Sequence, residues 1–188
     1  RITELTSSDW QYYFKDKERT TAGYYMRVDT DPYEEGIWDE EVPDDFTLGG
    51  NAMHYLDKIR QLCEDNGIRL LLVKAPSMSP VWYDEWEAQV QEYAQKYDLD
   101  YINFLQIADE IGIDYNTDTY DQGLHMNLSG AEKCADYLGK YLVDHYDLKD
   151  LREDKEICSD WKAKTKFYND MKEAQYKELE EFGEIISY

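Results

Sequence analysis

Asp121 and His125 lie four residues apart in the run D-T-Y-D-Q-G-L-H-M-N-L-S-G-A-E-K, which extends from Asp118 to Lys133. At that spacing on a loop, a carboxylate can accept one ring N–H of an imidazole. It thereby fixes the tautomer and leaves the other nitrogen free as a base. These are two members of a hydrolytic Ser-His-Asp set. Asn127 or Ser129 can cap a helix that opens near Gly130, so the base is held at an anchored helix entrance. The competing reading is structural: a histidine hydrogen-bonded within a helix-capping loop and carrying no chemistry.

The elements that have to position this loop form a strand-helix-strand series. Ile68 to Ala75 is a nearly continuous apolar run between Gly67 and Pro76, the pattern of a strand buried on both faces of a parallel sheet. Trp86 to Tyr97 reads as a helix and Asp100 to Phe104 as the next strand, giving a right-handed βαβ crossover. Ahead of it, Ala52, Tyr55, Leu56, Ile59, Leu62 and Cys63 recur at helical spacing between Gly49 and Asn66, with Asn66-Gly67 as the stop. Open α/β sheets bind ligands beyond the C-terminal ends of their strands. Ser77, Trp82 and Asn127 are therefore candidate substrate-binding residues on that rim. Ser77 is open to two readings, a surrogate nucleophile or the end of the strand. A helix from Gly130 to Tyr146 follows, and Ser159 can cap a long amphipathic helix from Asp160 to about Phe182. On that helix Tyr168, Met171, Leu179 and Phe182 share a face.

The run Y-D-Q-G-L-H-M-N-L-S-G-A-E-K resembles the last sequence block of SGNH (GDSL-type) hydrolases, in particular the bacterial cell-envelope group with H-x-N-x-x-G-A-x-K after the catalytic histidine. Ile68 to Ser77 resembles the late strand of those proteins, Asp100 to Phe104 the strand after it, and Tyr137 to Trp161 their C-terminal tail. The resemblance covers about the second half of such a domain. It implies an α/β fold with a three-layer, flavodoxin-like parallel sheet, incomplete in this chain. It also implies that His125 and Asp121 are catalytic in ester hydrolysis or O-acyl transfer on envelope carbohydrate. The nucleophilic serine and the oxyanion donors come from earlier blocks in that family, and this chain has no G-D-S-type turn. The family spacing is Asp-x-x-His, and here one more residue separates the two. The resemblance further implies an extracellular or cell-envelope location and no cofactor. The alternative is a structural or glycan-binding module derived from the same fold.

Composition narrows the partners. Forty-two acidic residues against 20 basic ones give a formal charge of -22, which repels phosphate backbones and anionic membrane surfaces. Nucleic acid is thereby disfavoured; the carbohydrate or cell-wall polymer substrate is what the resemblance implies. At 188 residues with 42% hydrophobic content the chain can build a core. Residues 1-47 read as an aromatic, acidic and mostly irregular segment with one short helix near Ser8 to Lys17, residues 48-146 as the α/β half, and residues 147-188 as a tail with an amphipathic helix. The aromatic residues of the first segment, including Tyr33 and Trp38, present either a sugar-stacking surface or satellite packing. No run has membrane-spanning length. Cys63, Cys134 and Cys158 lack zinc or C-x-x-C spacing. Asp114, Asn116 and Asp118 match the first three ligands of a calcium loop, but Thr119 stands where the turn glycine belongs, so an Asx-turn is expected and no metal. Two strands make too small a sheet to stand alone. A strand from residues 1-47, a second chain in a homo-oligomer, or the missing N-terminal half of the domain is expected to pair with it.

Overall fold

The apolar run after Gly67 becomes a strand only over its middle, Leu71–Lys74, which is β1. In the computed structural model, which describes residues 24-38 and 41-187, the order is α1 (Gly50–Asp65), β1, α2 (Asp84–Lys96), β2 (Asp100–Asn103), α3 (Leu128–His145) and α4 (Lys155–Phe182). This is an α/β chain, mostly helical, with a two-stranded parallel sheet and a long C-terminal helix. Leu71 pairs with Asp100 and Lys74 with Asn103, and Phe104 N–H continues the ladder onto the carbonyl of Lys74 at 3.0 Å. The described residues divide into two compact units. Thr30–Tyr141 make one; the described parts of Arg1–Asp29 and Leu142–Tyr188 make the other.

Three expectations change. The expected strand is not buried on both faces: Val73 in β1 is 47% exposed and Ile68, ahead of β1, 58%, because packing among the described residues leaves about half of the Val73 surface open. The strand expected from residues 1-47 is not found among the described part of that segment. Its extended stretch bonds instead to the histidine loop, with Asp31 N–H on Thr119 O at 3.0 Å and Tyr33 N–H on Tyr115 O at 3.0 Å. The helix expected near Ser8 to Lys17 lies outside the described residues. Ser159 is not the cap of the long helix. That helix begins at Lys155, where Asp154 Oδ1 accepts from the backbone N–H groups of Glu156 and Ile157 at 3.0 and 3.1 Å.

The core of the Thr30–Tyr141 unit collects Ala94 from α2, Ile102 and Phe104 from β2 and its end, Ala108 and Ile113 from the following turns, and Leu128 from α3. Phe104 meets Tyr137 edge-on at 5.8 Å. Burying a side chain such as Leu128, which is 1% exposed, contributes about 1.5–3 kcal/mol. That core fixes the end of β2 and the start of α3, the two points between which the histidine loop is strung. α1 docks by its polar side: Tyr93 OH donates to Asp57 Oδ1 at 3.2 Å, and the Arg60 guanidinium lies 4.1 Å over the Tyr97 ring. Its apolar stripe faces the other way, leaving Tyr55, Ile59 and Leu62 each at least half exposed.

In the other unit Gln175 on α4 is fully buried, and its Nε2 donates to the carbonyls of Met26 at 3.1 Å and Ser187 at 2.9 Å. Glu178 accepts the backbone N–H groups of Ile186 and Ser187 at 2.8 and 2.9 Å. Backbone groups of segments without regular structure of their own are thus satisfied by helix side chains. Among the described residues, no helix is long and apolar enough to cross a membrane.

Candidate functional site

The loop between the turns after β2 and α3 is closed by a bridge between Thr119 and Met126. Inside that arch the carboxylate of Asp121 holds His125 twice. Oδ1 accepts the backbone N–H of His125 at 2.7 Å, and Oδ2 lies 2.6 Å from ring Nδ1. A carboxylate facing Nδ1 keeps a proton there and puts the free lone pair on Nε2. The His125 side chain is 67% exposed, which leaves Nε2 accessible, and Asp121 is 28% exposed. Tyr120 stacks on the imidazole at 5.9 Å with the ring planes 13° apart, fixing the tilt of the ring from a second side.

The additional residue between acid and base is absorbed by two consecutive left-handed residues, Gln122 at φ 60° and Gly123 at φ 91°. Each is clamped. Gln122 N–H donates to Asp31 O at 3.1 Å, and Trp38 Nε1 donates to Gln122 O at 2.8 Å. Gly123 N–H donates to Thr119 Oγ1 at 2.7 Å, while Met78 N–H donates to Gly123 O at 2.8 Å. A Cβ on Gly123 would meet the Met78 side chain at 3.0 Å and the Tyr33 ring at 3.2 Å. Gly123→Ala therefore combines backbone strain with overlap, and a loss of about 1–3 kcal/mol in urea unfolding is expected. A variant as stable as the parent would show that the arch has another path.

Below the arch the loop is pinned to α3. Asn127 caps the helix: its Oδ1 accepts Gly130 N–H at 3.2 Å, its backbone carbonyl accepts Ala131 N–H at 2.9 Å, and its Nδ2 donates to Thr117 O at 2.8 Å. Asn127 is 2% exposed, so its side chain is spent on the loop. Asp118 is fully buried, and its Oδ2 takes the Lys133 ammonium at 2.5 Å and the Asp114 N–H at 2.8 Å. Lys133 also donates to Gly112 O at 2.7 Å. Gly130 allows the start of α3 to pack against the loop backbone, since a Cβ there would sit 2.6 Å from the Asp118 carbonyl oxygen and 2.7 Å from Met126 Sδ. Of the three calcium-type residues, Asp114 makes an Asx-turn, its Oδ1 accepting from Asn116 N at 2.9 Å, and Asp118 is turned inward to Lys133. Among the described residues no three His, Cys, Asp or Glu side chains converge as metal ligands.

The segment leaving the C-terminal end of β1 completes the surroundings. Tyr115 OH donates to Pro76 O at 2.6 Å, and burial pushes the Tyr115 phenol up to about 12. Ser77 reaches the loop through its neighbour, the Met78-Gly123 bond, and its carbonyl accepts from Lys74 Nζ at 3.3 Å. Its hydroxyl makes no hydrogen bond to His125; among the described residues the ring bonds to Asp121 alone. Trp82 is committed elsewhere, with its indole N–H on Glu87 Oε2 at 2.7 Å, Lys74 Nζ 5.3 Å from its ring centre and Trp86 edge-on at 5.8 Å. Thus Asp121 and His125 are brought together, Asn127 serves below them as the helix cap, and Ser77 and Trp82 belong to the neighbouring rim. Sequence reasoning missed the clamps from Asp31, Tyr33 and Trp38, which carry no periodic signal, and the Asp118-Lys133 pair. The lysine of the H-x-N-x-x-G-A-x-K run was the available sign of that pair. No protein-family model matches the chain, and no curated protein or solved structure does either.

Proposed function

We propose that this chain is the base-bearing portion of an SGNH-type enzyme that hydrolyses or transfers O-acyl groups on carbohydrate of the bacterial cell envelope. The observation that carries the reading is the 2.6 Å contact between His125 Nδ1 and Asp121 Oδ2, with the ring exposed on the other side. In this reaction His125 Nε2 takes the proton of a serine hydroxyl as that oxygen attacks the ester carbonyl, and returns it to the departing alkoxide. Asp121 holds the ring in the required tautomer and stabilises the imidazolium formed in between. The serine and the oxyanion donors belong to sequence outside this chain. They sit beside the β1 edge opposite β2, within a three-layer, flavodoxin-like sheet of which β1 and β2 are two strands. The exposed Val73 and the β1 edge that no strand pairs among the described residues support that completion, by a preceding portion of the same protein or by a partner chain. The enzyme acts outside the cell or at its envelope.

A non-catalytic module is the second reading, and the absence of a serine hydroxyl on His125 among the described residues favours it. The two are separated by assay. The purified chain on p-nitrophenyl acetate is expected to turn over no faster than free imidazole, since it offers a base without an oxyanion hole. Joined to a segment carrying a G-D-S-type serine turn, it is expected to become an esterase. Turnover by the chain alone that survives Ser77→Ala with Ser79→Ala and disappears with His125→Ala would place a nucleophile elsewhere in this chain and overturn the divided arrangement.

A further inference from the structure

Glu87 plays no part in the histidine pair, yet it is 5% exposed and takes four hydrogen bonds. Its Oε2 accepts from Trp82 Nε1 at 2.7 Å, Tyr101 OH at 2.8 Å and Asn103 Nδ2 at 2.7 Å, and its Oε1 accepts from Gln91 Nε2 at 2.8 Å. The donors come from the segment after β1, from β2 and from α2 itself. Burial opposes the charge, but the four donors outweigh it and hold the carboxyl below its ordinary range. Asn103 passes the constraint on, since its Oδ1 accepts the N–H groups of Leu105 and Gln106 at 2.9 and 3.2 Å and shapes the turn after β2.

Lys74 supplies the nearby positive charge. Its Nζ donates to Ala75 O at 2.8 Å and Ser77 O at 3.3 Å and lies 5.3 Å from the centre of the Trp82 ring. Burial lowers its pKa, and the charge of Glu87 acts in the opposite direction. Residues 75-83 have no regular secondary structure. Their path is set instead at one end by Lys74 on the carbonyls of Ala75 and Ser77, and at the other by Glu87 on Trp82. Between those ends, Met78 N–H grips Gly123 O at 2.8 Å, two residues from His125. A buried carboxylate is a costly way to pack one helix against one strand, and an apolar side chain would do that at least as well. What the carboxylate adds is a fixed direction for three donors on two elements.

We infer that Glu87 and Lys74 are positioning residues of the histidine site. They set the course of residues 75-82, and that segment holds the arch in which Asp121 meets His125. The inference rests on the proposed function only in treating the pair as a site; the chain of contacts stands without it.

Its test is amide hydrogen exchange and the ring NMR signals of His125 in the parent chain, in Glu87→Gln and in Trp82→Phe. The phenylalanine keeps an aromatic ring near Lys74 and removes the N–H that reaches Glu87, so it carries the test if Glu87→Gln does not fold. Exchange of the Met78 amide is expected to accelerate by about tenfold or more, and the Nδ1 proton of His125 to broaden, while amides of α3 keep their protection. Unchanged Met78 exchange and an unchanged His125 ring would overturn the proposal. Acceleration spread equally over α2, β2 and α3 would overturn it too, because Glu87 would then serve general stability alone. Neither readout depends on turnover, so a chain that proves non-catalytic leaves the test intact.

Discussion

His125→Ala, in a protein that unites this chain with the serine of the proposed reaction, is expected to lower kcat by about a millionfold, and Asp121→Asn by about ten-thousandfold. The first change removes the group that takes the serine proton in the proposed reaction. The second is subtler. Asparagine at 121 can keep one oxygen on the backbone N–H of His125, as Oδ1 does now at 2.7 Å, so the arch survives. Its NH2 group then replaces Oδ2 opposite ring Nδ1, where the carboxylate oxygen now lies at 2.6 Å. Two donors cannot share that contact, so the ring proton moves to Nε2 and the base faces the serine in the wrong tautomer. Steady-state ester hydrolysis with both variants is the measurement. A His125→Ala protein within tenfold of the parent would remove this histidine from the chemistry.

The second large effect falls on stability. Asp118 is fully buried, and burial by itself disfavours its charge. The Asp114 N–H, the Lys133 ammonium and the Ser129 hydroxyl outweigh that cost and hold the carboxyl below its ordinary range. Lys133→Met leaves a buried carboxylate without its countercharge, a change that costs about 3–5 kcal/mol when both partners are dry. The Lys133 side chain is 35% exposed, so we expect about 3 kcal/mol, at the lower end of that range. Asp118→Asn keeps the acceptor for Asp114 N–H and is expected to cost less. The pH dependence follows in sign. A folded pKa below the unfolded one gives stability that is fully present above the unfolded value, 3.8 for this carboxyl, and lost as pH falls through the folded value. Urea unfolding should therefore show the gap between the parent and Asp118→Asn narrowing in acid. A gap independent of pH would mean that Asp118 contributes by shape rather than by charge.

The local parts of this architecture were legible because they are written in local signals. The α1 stripe, the Asn66-Gly67 stop, the cap at Asn127 and the pairing of Asp121 with His125 each depend on residues within a few positions of one another, and all four are present. The long-range parts left no such mark. Nothing in the irregular acidic stretch near the N-terminus signals that Asp31 and Trp38 will clamp Gln122, more than eighty positions away. The burial of β1 was misjudged for a related reason. An apolar run reports what a strand face is made of, and Val73 is as apolar as a covered residue while being 47% exposed. The start of α4 was missed because Asp154 and Ser159 are equally good caps by type. The earlier one prevails because helical geometry from Lys155 brings Ile157 and Cys158 to partly buried positions.

The outward stripe on α1 also bears on how copies of this chain behave in solution. Tyr55, Ile59 and Leu62 form a sticky strip that water would expel if a second surface came within reach. What keeps surfaces apart is the formal charge of -22, a long-range repulsion felt before any short-range attraction. That barrier is colloidal, and it is only as thick as the ionic atmosphere allows, about 8 Å at physiological salt. Concentrated salt thins it, and titration toward the isoelectric point of 4.3 abolishes it. The barrier is therefore lost near pH 4.3, before the acid that protonates Asp118 is reached, and below that point repulsion returns with the opposite sign, so clumping is expected at a milder acidity than loosening of the Asp118-Lys133 pair.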